Sequence, residues 1–353
     1  MIEARLKTKI PDEELQDKVG KILTADDVNV VLRGRPVALF KPDGKLLCKY
    51  LPGHFSPERM GSFYDVLHSL KKFETDNRGL ASGTQRTPKG QGTRTRSMPV
   101  ASMIAGAMDA APPKNYCRLT AWSGKDWDQY ASLFPLFQDI GAEFARHVPD
   151  RYAVQMDYVN QTADDWVITG TPFTTITVNN TYPTGVHTDK GDLAAGFSTL
   201  AVLRRGTYAG GWLCFPEYRV GVDMQDGDLL LMDAHDWHGN TALELQDPTC
   251  YICDERATRR VSGTLAGYAS ARVWSLCDAH VAWTKRQPNF APAQTDEVIQ
   301  KAERISVVCY YREKMKACGT ADEEAKKALD WAEHRIAINA DAVEEMAVES
   351  MGG

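Results

Sequence analysis

The chain has 353 residues, 43% of them hydrophobic and 25% charged, with a net charge of −6. That length can bury one large core or two modest ones, and the composition is that of a folded globular protein, not a disordered one. No apolar run approaches the ~20 residues that cross a bilayer, Met1 to Lys7 lack the apolar stretch of a secretory signal, and the acidic balance excludes indiscriminate coating of nucleic acid while leaving room for a local basic groove.

Residues 1–76 read as a mixed α/β lead-in. Strands are expected at Val28–Leu32 and Pro36–Phe40, with a turn at Pro42-Asp43-Gly44 after them. Met60, Phe63, Leu67, Leu70 and Phe73 recur at spacings of three and four, which predicts an amphipathic helix. Residues 77–98 change character: Arg78, Arg86, Lys89, Arg94 and Arg96 stand among Gly, Thr and Ser with no acidic residue. This is the composition of a flexible basic arm that contacts phosphates. A strand-like segment, Cys117–Trp122, and a helical stretch over 127–147 follow. Short β-rich runs then come in series, at Phe173–Asn179, Ser198–Leu203, Gly211–Phe215, Arg219–Asp223 and Asp228–Met232. Gly, Pro and Asp break them, and Ile305–Tyr311 closes the set. Such spacing predicts an α+β protein whose core, over 99–319, is a jelly-roll or double-stranded β-helix with flanking helices. Residues 320–353 are rich in Ala, Glu and Lys and are expected to be helical. The eight Cys are read as reduced thiols or metal ligands, not as a disulfide framework.

Three segments carry chemistry: His187-Thr188-Asp189, Trp237-His238-Gly239-Asn240, and Arg304-Ile305-Ser306-Val307-Val308. Two His and one carboxylate are the ligand set of a non-haem Fe(II) centre that keeps positions open for O2 and a cosubstrate. His187 and Asp189, two apart, share one face of an extended segment. His235 and His238 compete as third ligand. His238 is preferred, because it follows the turn Gln225-Asp226-Gly227 and the apolar strand Asp228–Met232, and Gly239 permits close approach. A strand-borne Arg can hold the far carboxylate of 2-oxoglutarate in a forked pair. Arg260-Val261-Ser262 runs into Gly263 and Gly267, a poor central strand, whereas Arg304 opens an unbroken one on which Ser306 shares its face.

With Val178-Asn179-Asn180, Gly210 to Tyr218 and Tyr310, these segments resemble the TET/JBP family of Fe(II)/2-oxoglutarate dioxygenases, from about Asn115 to Cys318 and closest to its short phage and protist forms. The resemblance implies His187, Asp189 and His238 as iron ligands and Arg304 as the 2-oxoglutarate anchor, with Asn179 or Asn180 facing the cosubstrate or base. It implies oxidation of the 5-methyl group of a pyrimidine in DNA, with O2 as co-reactant and the target base flipped out of the duplex. The expected reaction is 5-methylcytosine to 5-hydroxymethylcytosine. Rival expectations are a thymine hydroxylase making 5-hydroxymethyluracil, a non-catalytic DNA-binding module, and a 2-oxoglutarate hydroxylase of a small molecule or protein. Asn179, Asn180 and Asp192 are candidates to read the base edge, and Trp212, Tyr218 and Trp237 to stack on it. No membrane partner is expected. The expected location is the cytoplasm of a bacterial or infected cell for a phage protein, or the nucleus for a eukaryotic one.

The chain departs from the compact family pattern between His238 and Arg304. There Cys250-Tyr251-Ile252-Cys253 and Cys277-Asp278-Ala279-His280 form two pairs with two-residue spacers, among Arg256, Arg259, Arg260 and Arg272. A Cys3His set of this spacing predicts a structural zinc knuckle in the insert 244–300, from Cys250, Cys253, Cys277 and His280.

Overall fold

The computed structural model describes residues 1–7, 9–75, 81, 100–111, 114–206, 208–245 and 302–333. The expected basic arm apart from Ala81, the four proposed zinc ligands Cys250, Cys253, Cys277 and His280, and Arg260 all lie outside the described residues.

Among the described residues the protein is a mixed α+β structure built on two main sheets, with a separate two-stranded antiparallel ribbon of Tyr208–Gly210 and Leu243–Leu245. The larger has ten strands. Its centre is Leu229–Met232, Ser198–Arg205, Glu303–Tyr310, Thr175–Asn180 and Val100–Met108, in that spatial order and antiparallel throughout. The smaller sheet joins Gly239–Asn240, Leu213–Phe215, Val220–Val222 and Val30–Leu32. The N-terminal segment feeds both. Ile2–Arg5, Val37–Phe40 and Leu46–Leu51 extend the large sheet beside Leu229–Met232, and Val30–Leu32 pairs with Val220–Val222.

The central strands of the large sheet are buried on both faces, but they mix apolar residues with polar ones such as Thr177, Asn179, Arg304 and Ser306. Successive side chains nevertheless point to opposite sides. Ile305, Val307 and Cys309 pack with Ile176, Val178, Ala201 and Leu203 against a helical layer that supplies Met60, Phe63, Leu67, Phe137, Ile140 and Phe144. Leu200, Val202, Leu230 and Met232 face the other way and pack on Leu213, Phe215, Val220 and Val222 of the small sheet. Fully burying each such side chain contributes about 1.5–3 kcal/mol.

The expected helix from Met60 to Phe73 has its predicted buried face but is broken into Pro57–Gly61, Tyr64–Ser69 and a 3-10 turn at Leu70–Lys72. The stretch over 127–147 is likewise split, into Trp127–Ser132 and Phe134–His147. Pro135 sits in the first turn of the second helix, where its missing N–H costs nothing; one turn deeper it would break the ladder. The expected strand over Cys117–Trp122 is strand only at Arg118–Leu119, and a helix begins at Ala121. Residues 321–333 are helical.

The cysteines correct one expectation. Cys117 and Cys318 are joined by a disulfide, while Cys48, Cys214 and Cys309 are free and buried. Nothing local marks this pair, because its partners are 201 residues apart and meet only when the sheet is assembled. No helix among the described residues is long and apolar enough to cross a membrane.

Candidate active site

The two sheets enclose a cavity of about 280 Å³. Alternation along the central strands decides what faces it. Arg304, Ser306, Val308 and Tyr310 point in from one strand and Thr177 and Asn179 from its neighbour, while the residues between them face the helices. Asn180 is therefore turned away: its Nδ2 donates to Glu303 Oε1 at 2.7 Å, on the helical side. Asn179 faces the cavity and accepts from Ser102 Oγ at 2.6 Å.

His187, Asp189 and His238 come together at this cavity. The segments carrying the two His pair as a short antiparallel bridge, His187 N–H donating to His238 O at 2.8 Å and His238 N–H to His187 O at 2.9 Å. Gly239 makes this approach possible, because a Cβ there would lie 3.0 Å from the backbone of Val186. Asp189 is set by its own N–H, which donates to Ala234 O at 3.0 Å. His187 Nε2 stands 3.6 Å from Asp189 Oδ1, and His238 Nε2 stands 3.4 Å from Asp189 Oδ2. In both rings Nδ1 faces a backbone carbonyl two residues back, Gly185 O at 2.7 Å and Asp236 O at 3.0 Å. A carbonyl only accepts, so each Nδ1 carries a proton, and in the neutral ring each Nε2 is left with its lone pair. That is the tautomer a metal-ligating His needs. Burial pulls the His238 pKa down, but the Asp189 carboxylate and the Asp236 carbonyl outweigh it and raise it above the ordinary value.

His235, the competing ligand, is not part of this group. Its Nδ1 lies 3.7 Å from Asp233 Oδ1, on the loop that leads into His238. Lys41 braces that loop through ion pairs to Asp233 at 2.9 Å and to Asp236. Burial would raise the Asp233 pKa, but His235 and Lys41 hold it well below the usual carboxylate range.

Arg304 enters the cavity from the other side. It is only 4% exposed, its Nη2 is buried with no hydrogen-bond partner among the described residues, and burial lowers its pKa. A buried guanidinium lacking an acidic partner is costly, and a bound carboxylate would satisfy it. Ser306, on the same face, lines the cavity beside it. The donor set and the unpaired guanidinium both fit the Fe(II) and 2-oxoglutarate expected from sequence: two imidazoles and a carboxylate for the metal, a cation for the far acid group.

Arg312, not singled out from the sequence, also lines the cavity, held by Asp109 with Nε to Oδ1 at 2.5 Å. The alternation 304, 306, 308, 310, 312 would have found it. Asp192 is a lining residue too, and its Oδ2 accepts from Ser198 Oγ at 2.8 Å. The three aromatic candidates do not line the cavity. Trp212 and Trp237 pack on Leu23, Val186 and Cys214, and Tyr218 packs on the cluster between the sheets. Apolar packing wins for these rings because their neighbours in space are aliphatic.

Residues 107–264 match the Tet_JBP family, described as the oxygenase domain of the 2OGFeDO superfamily. The chain thus carries an oxygenase domain of the class whose chemistry implies Fe(II) and 2-oxoglutarate. Within that class the matching family is Tet/JBP, over those residues. The match takes in the segments of His187, Asp189 and His238 and ends before the strand of Arg304. Thymine dioxygenase JBP1 of Trypanosoma brucei brucei is 37% identical over 148 residues, 41% of this chain and 17% of the relative. The JBP1 of Leishmania braziliensis is 30% identical over 213 residues, 57% of this chain and 24% of the relative. The chain therefore spans a quarter or less of the length of these relatives. A solved structure described as NgTET1 in complex with 5mC DNA aligns with a TM-score of 0.49 and 13% identity, over 85% of this chain and 83% of that one.

Proposed function

We propose that this protein oxidises the 5-methyl group of 5-methylcytosine in DNA, at least to 5-hydroxymethylcytosine. The observation that carries the proposal is the single cavity that gathers His187, Asp189 and His238 on one side and a buried, unpaired Arg304 on the other. His187, Asp189 and His238 hold Fe(II). Arg304 and Ser306 hold the far carboxylate of 2-oxoglutarate, and Asn179 faces the cosubstrate. Once bound, the metal and 2-oxoglutarate supply oxidation of an unactivated C–H bond by O2. The chain's part is placement and exclusion of water: Ile104, Leu200, Leu213, Met232 and Val308 form an apolar wall behind the polar groups. Asp189, with its side chain 35% exposed, marks the open rim.

A cavity of about 280 Å³ cannot admit a duplex, which supports a target nucleotide flipped out of the stack to reach it. Asp192 supplies an acceptor that suits the exocyclic amine of cytosine. We read the facing sheets as a double-stranded β-helix over 99–319, preceded by the lead-in 1–76 and followed by the helical tail 320–353. The basic arm 77–98 and the basic insert 244–300, organised by zinc on Cys250, Cys253, Cys277 and His280, hold the phosphates. A second reading, thymine oxidised to 5-hydroxymethyluracil, is favoured by the names of the relatives, which are thymine dioxygenases.

Incubation with Fe(II), 2-oxoglutarate and DNA carrying 5-methylcytosine, followed by nucleoside mass spectrometry, tests both. 5-hydroxymethylcytosine is the expected product. 5-hydroxymethyluracil in its place would establish the thymine reading. Equal turnover of free nucleoside and DNA, with no effect of salt, would remove DNA as the substrate, since phosphate contacts make binding steeply salt-dependent.

A further inference from the structure

We propose that His54, Glu143 and His147 form a second divalent-metal site, of the Zn2+ type, on the helical side of the large sheet. Glu143 and His147 are four residues apart in the last turns of the helix Phe134–His147, so they share one face. His54 comes from the turn between Leu46–Leu51 and the helix Pro57–Gly61. That turn is fixed on both sides of His54, since Gly53 N–H donates to Asp228 Oδ1 at 2.7 Å and Phe55 N–H to Gly227 O at 2.9 Å.

Glu143 Oε2 lies 2.8 Å from His54 Nε2 and 3.2 Å from His147 Nε2, and the three donor atoms lie within 4.8 Å of one another. Ligands about 2.0–2.2 Å from one tetrahedral metal stand roughly 3.3–3.5 Å apart, so a small movement admits the ion. The short separations are not hydrogen bonds. Glu143 Oε2 and His147 Nε2 are both buried and neither has a hydrogen-bond partner among the described residues, so neither ring aims an N–H at Oε2. Three donor atoms gathered within 4.8 Å of one another, two of them without a hydrogen bond among the described residues, form a pocket that a cation would satisfy.

The surroundings hold this arrangement. Arg146 Nη1 stands 3.7 Å from the other carboxylate oxygen, Oε1, which leaves Oε2 for the site. Lys49 Nζ donates to His147 O at 2.6 Å and ties the helix end to the strand beside it. The two rings meet edge to face with centroids 5.4 Å apart. The donor set is the same as at His187, Asp189 and His238, and these are the two such groups among the described residues. None of the second trio lines the catalytic cavity. Two imidazoles and one carboxylate select a borderline cation such as Zn2+ over Mg2+ or Ca2+, which prefer all-oxygen shells. Side chains about one-fifth exposed leave a fourth position for water. A metal here would fasten the turn after Leu46–Leu51 to the helix that covers the sheet.

The test uses the full chain carrying Asp189→Ala, Cys250→Ser and Cys253→Ser, which silences the other two metal centres. After chelation, the protein is titrated with Zn2+ and followed by equilibrium dialysis and thermal unfolding. One equivalent should bind and raise the unfolding temperature. His54→Ala in that background should weaken binding by more than the roughly 10–100-fold that loss of an outer partner costs, and should abolish the thermal shift. Glu143→Gln keeps the size and polarity of the side chain and should do the same, which covers the case in which His54→Ala does not fold. No Zn2+ uptake by the background protein, or equal uptake by the Glu143→Gln protein, would overturn the proposal. Neither readout involves dioxygenase activity, so failure here leaves the proposed function standing.

Discussion

Arg304 offers a prediction in which stability and binding move in opposite directions. Its guanidinium is buried, its Nη2 is unpaired, and no ion pair reaches it among the described residues. In the ligand-free protein it is an uncompensated buried charge, so Arg304→Met, of comparable length and apolar, should leave ligand-free stability unchanged or raise it. With 2-oxoglutarate the sign reverses. Losing a forked, charge-assisted contact costs about 2–4 kcal/mol, or roughly 30- to 1,000-fold in affinity. At a ligand concentration near 100 times the dissociation constant the unmodified protein gains about 2.7 kcal/mol, and a 30-fold weaker variant retains about 0.9. Thermal unfolding of both proteins, loaded with a redox-silent divalent metal and scanned with and without 2-oxoglutarate, measures both effects. If Arg304→Met unfolds several degrees lower without ligand and keeps the full 2-oxoglutarate shift, Arg304 is a structural residue and the clamp lies elsewhere.

Alanine at His187, Asp189 or His238 should abolish oxidation of methylated DNA while the fold, followed by circular dichroism, persists. His235→Ala should retain activity, and the reverse pattern would exchange the third ligand. Metal analysis of the Cys250→Ser/Cys253→Ser protein should show one equivalent of zinc fewer than the unmodified chain; equal zinc content in the two would remove the knuckle. Glu217 gives a pH prediction. Burial pushes its pKa up to about 7, against the pull of Lys9, whose Nζ is 3.0 Å from Oε1. The folded state therefore holds this proton more tightly than the unfolded chain, whose Glu titrates at about 4.3. Stability from this group is complete below that value and is lost as pH rises through about 7. Relative to the unmodified protein, Glu217→Gln should gain of the order of 2 kcal/mol between about pH 5 and about pH 8 in denaturant unfolding. A constant difference across that range would show that Glu217 is ionised throughout.

Much of the candidate site was legible because its signals are local or periodic. His187 and Asp189 two apart, Gly239 beside His238, and an unbroken apolar strand opening on Arg304 each follow from the geometry of an extended chain. Period two also separates Asn179 from Asn180 and would have added Arg312 on the face of Arg304 and Ser306. Helical faces were legible for the same reason: Met60, Phe63, Leu67 and Leu70 are buried as their spacing requires, although the helix around them is broken.

What the sequence could not decide depends on long-range approach. The sequence preferred His238 over His235, but the backbone bridge that sets His238 against His187 exists only in the assembled fold. The place of Trp212, Trp237 and Tyr218 in packing clusters, the disulfide of Cys117 with Cys318, and the meeting of His54 with Glu143 and His147 all join elements far apart in sequence. Strand and helix periods determine which way a side chain points. Only the stacking of one sheet on the other, and of the helices on its far face, determines what it meets there.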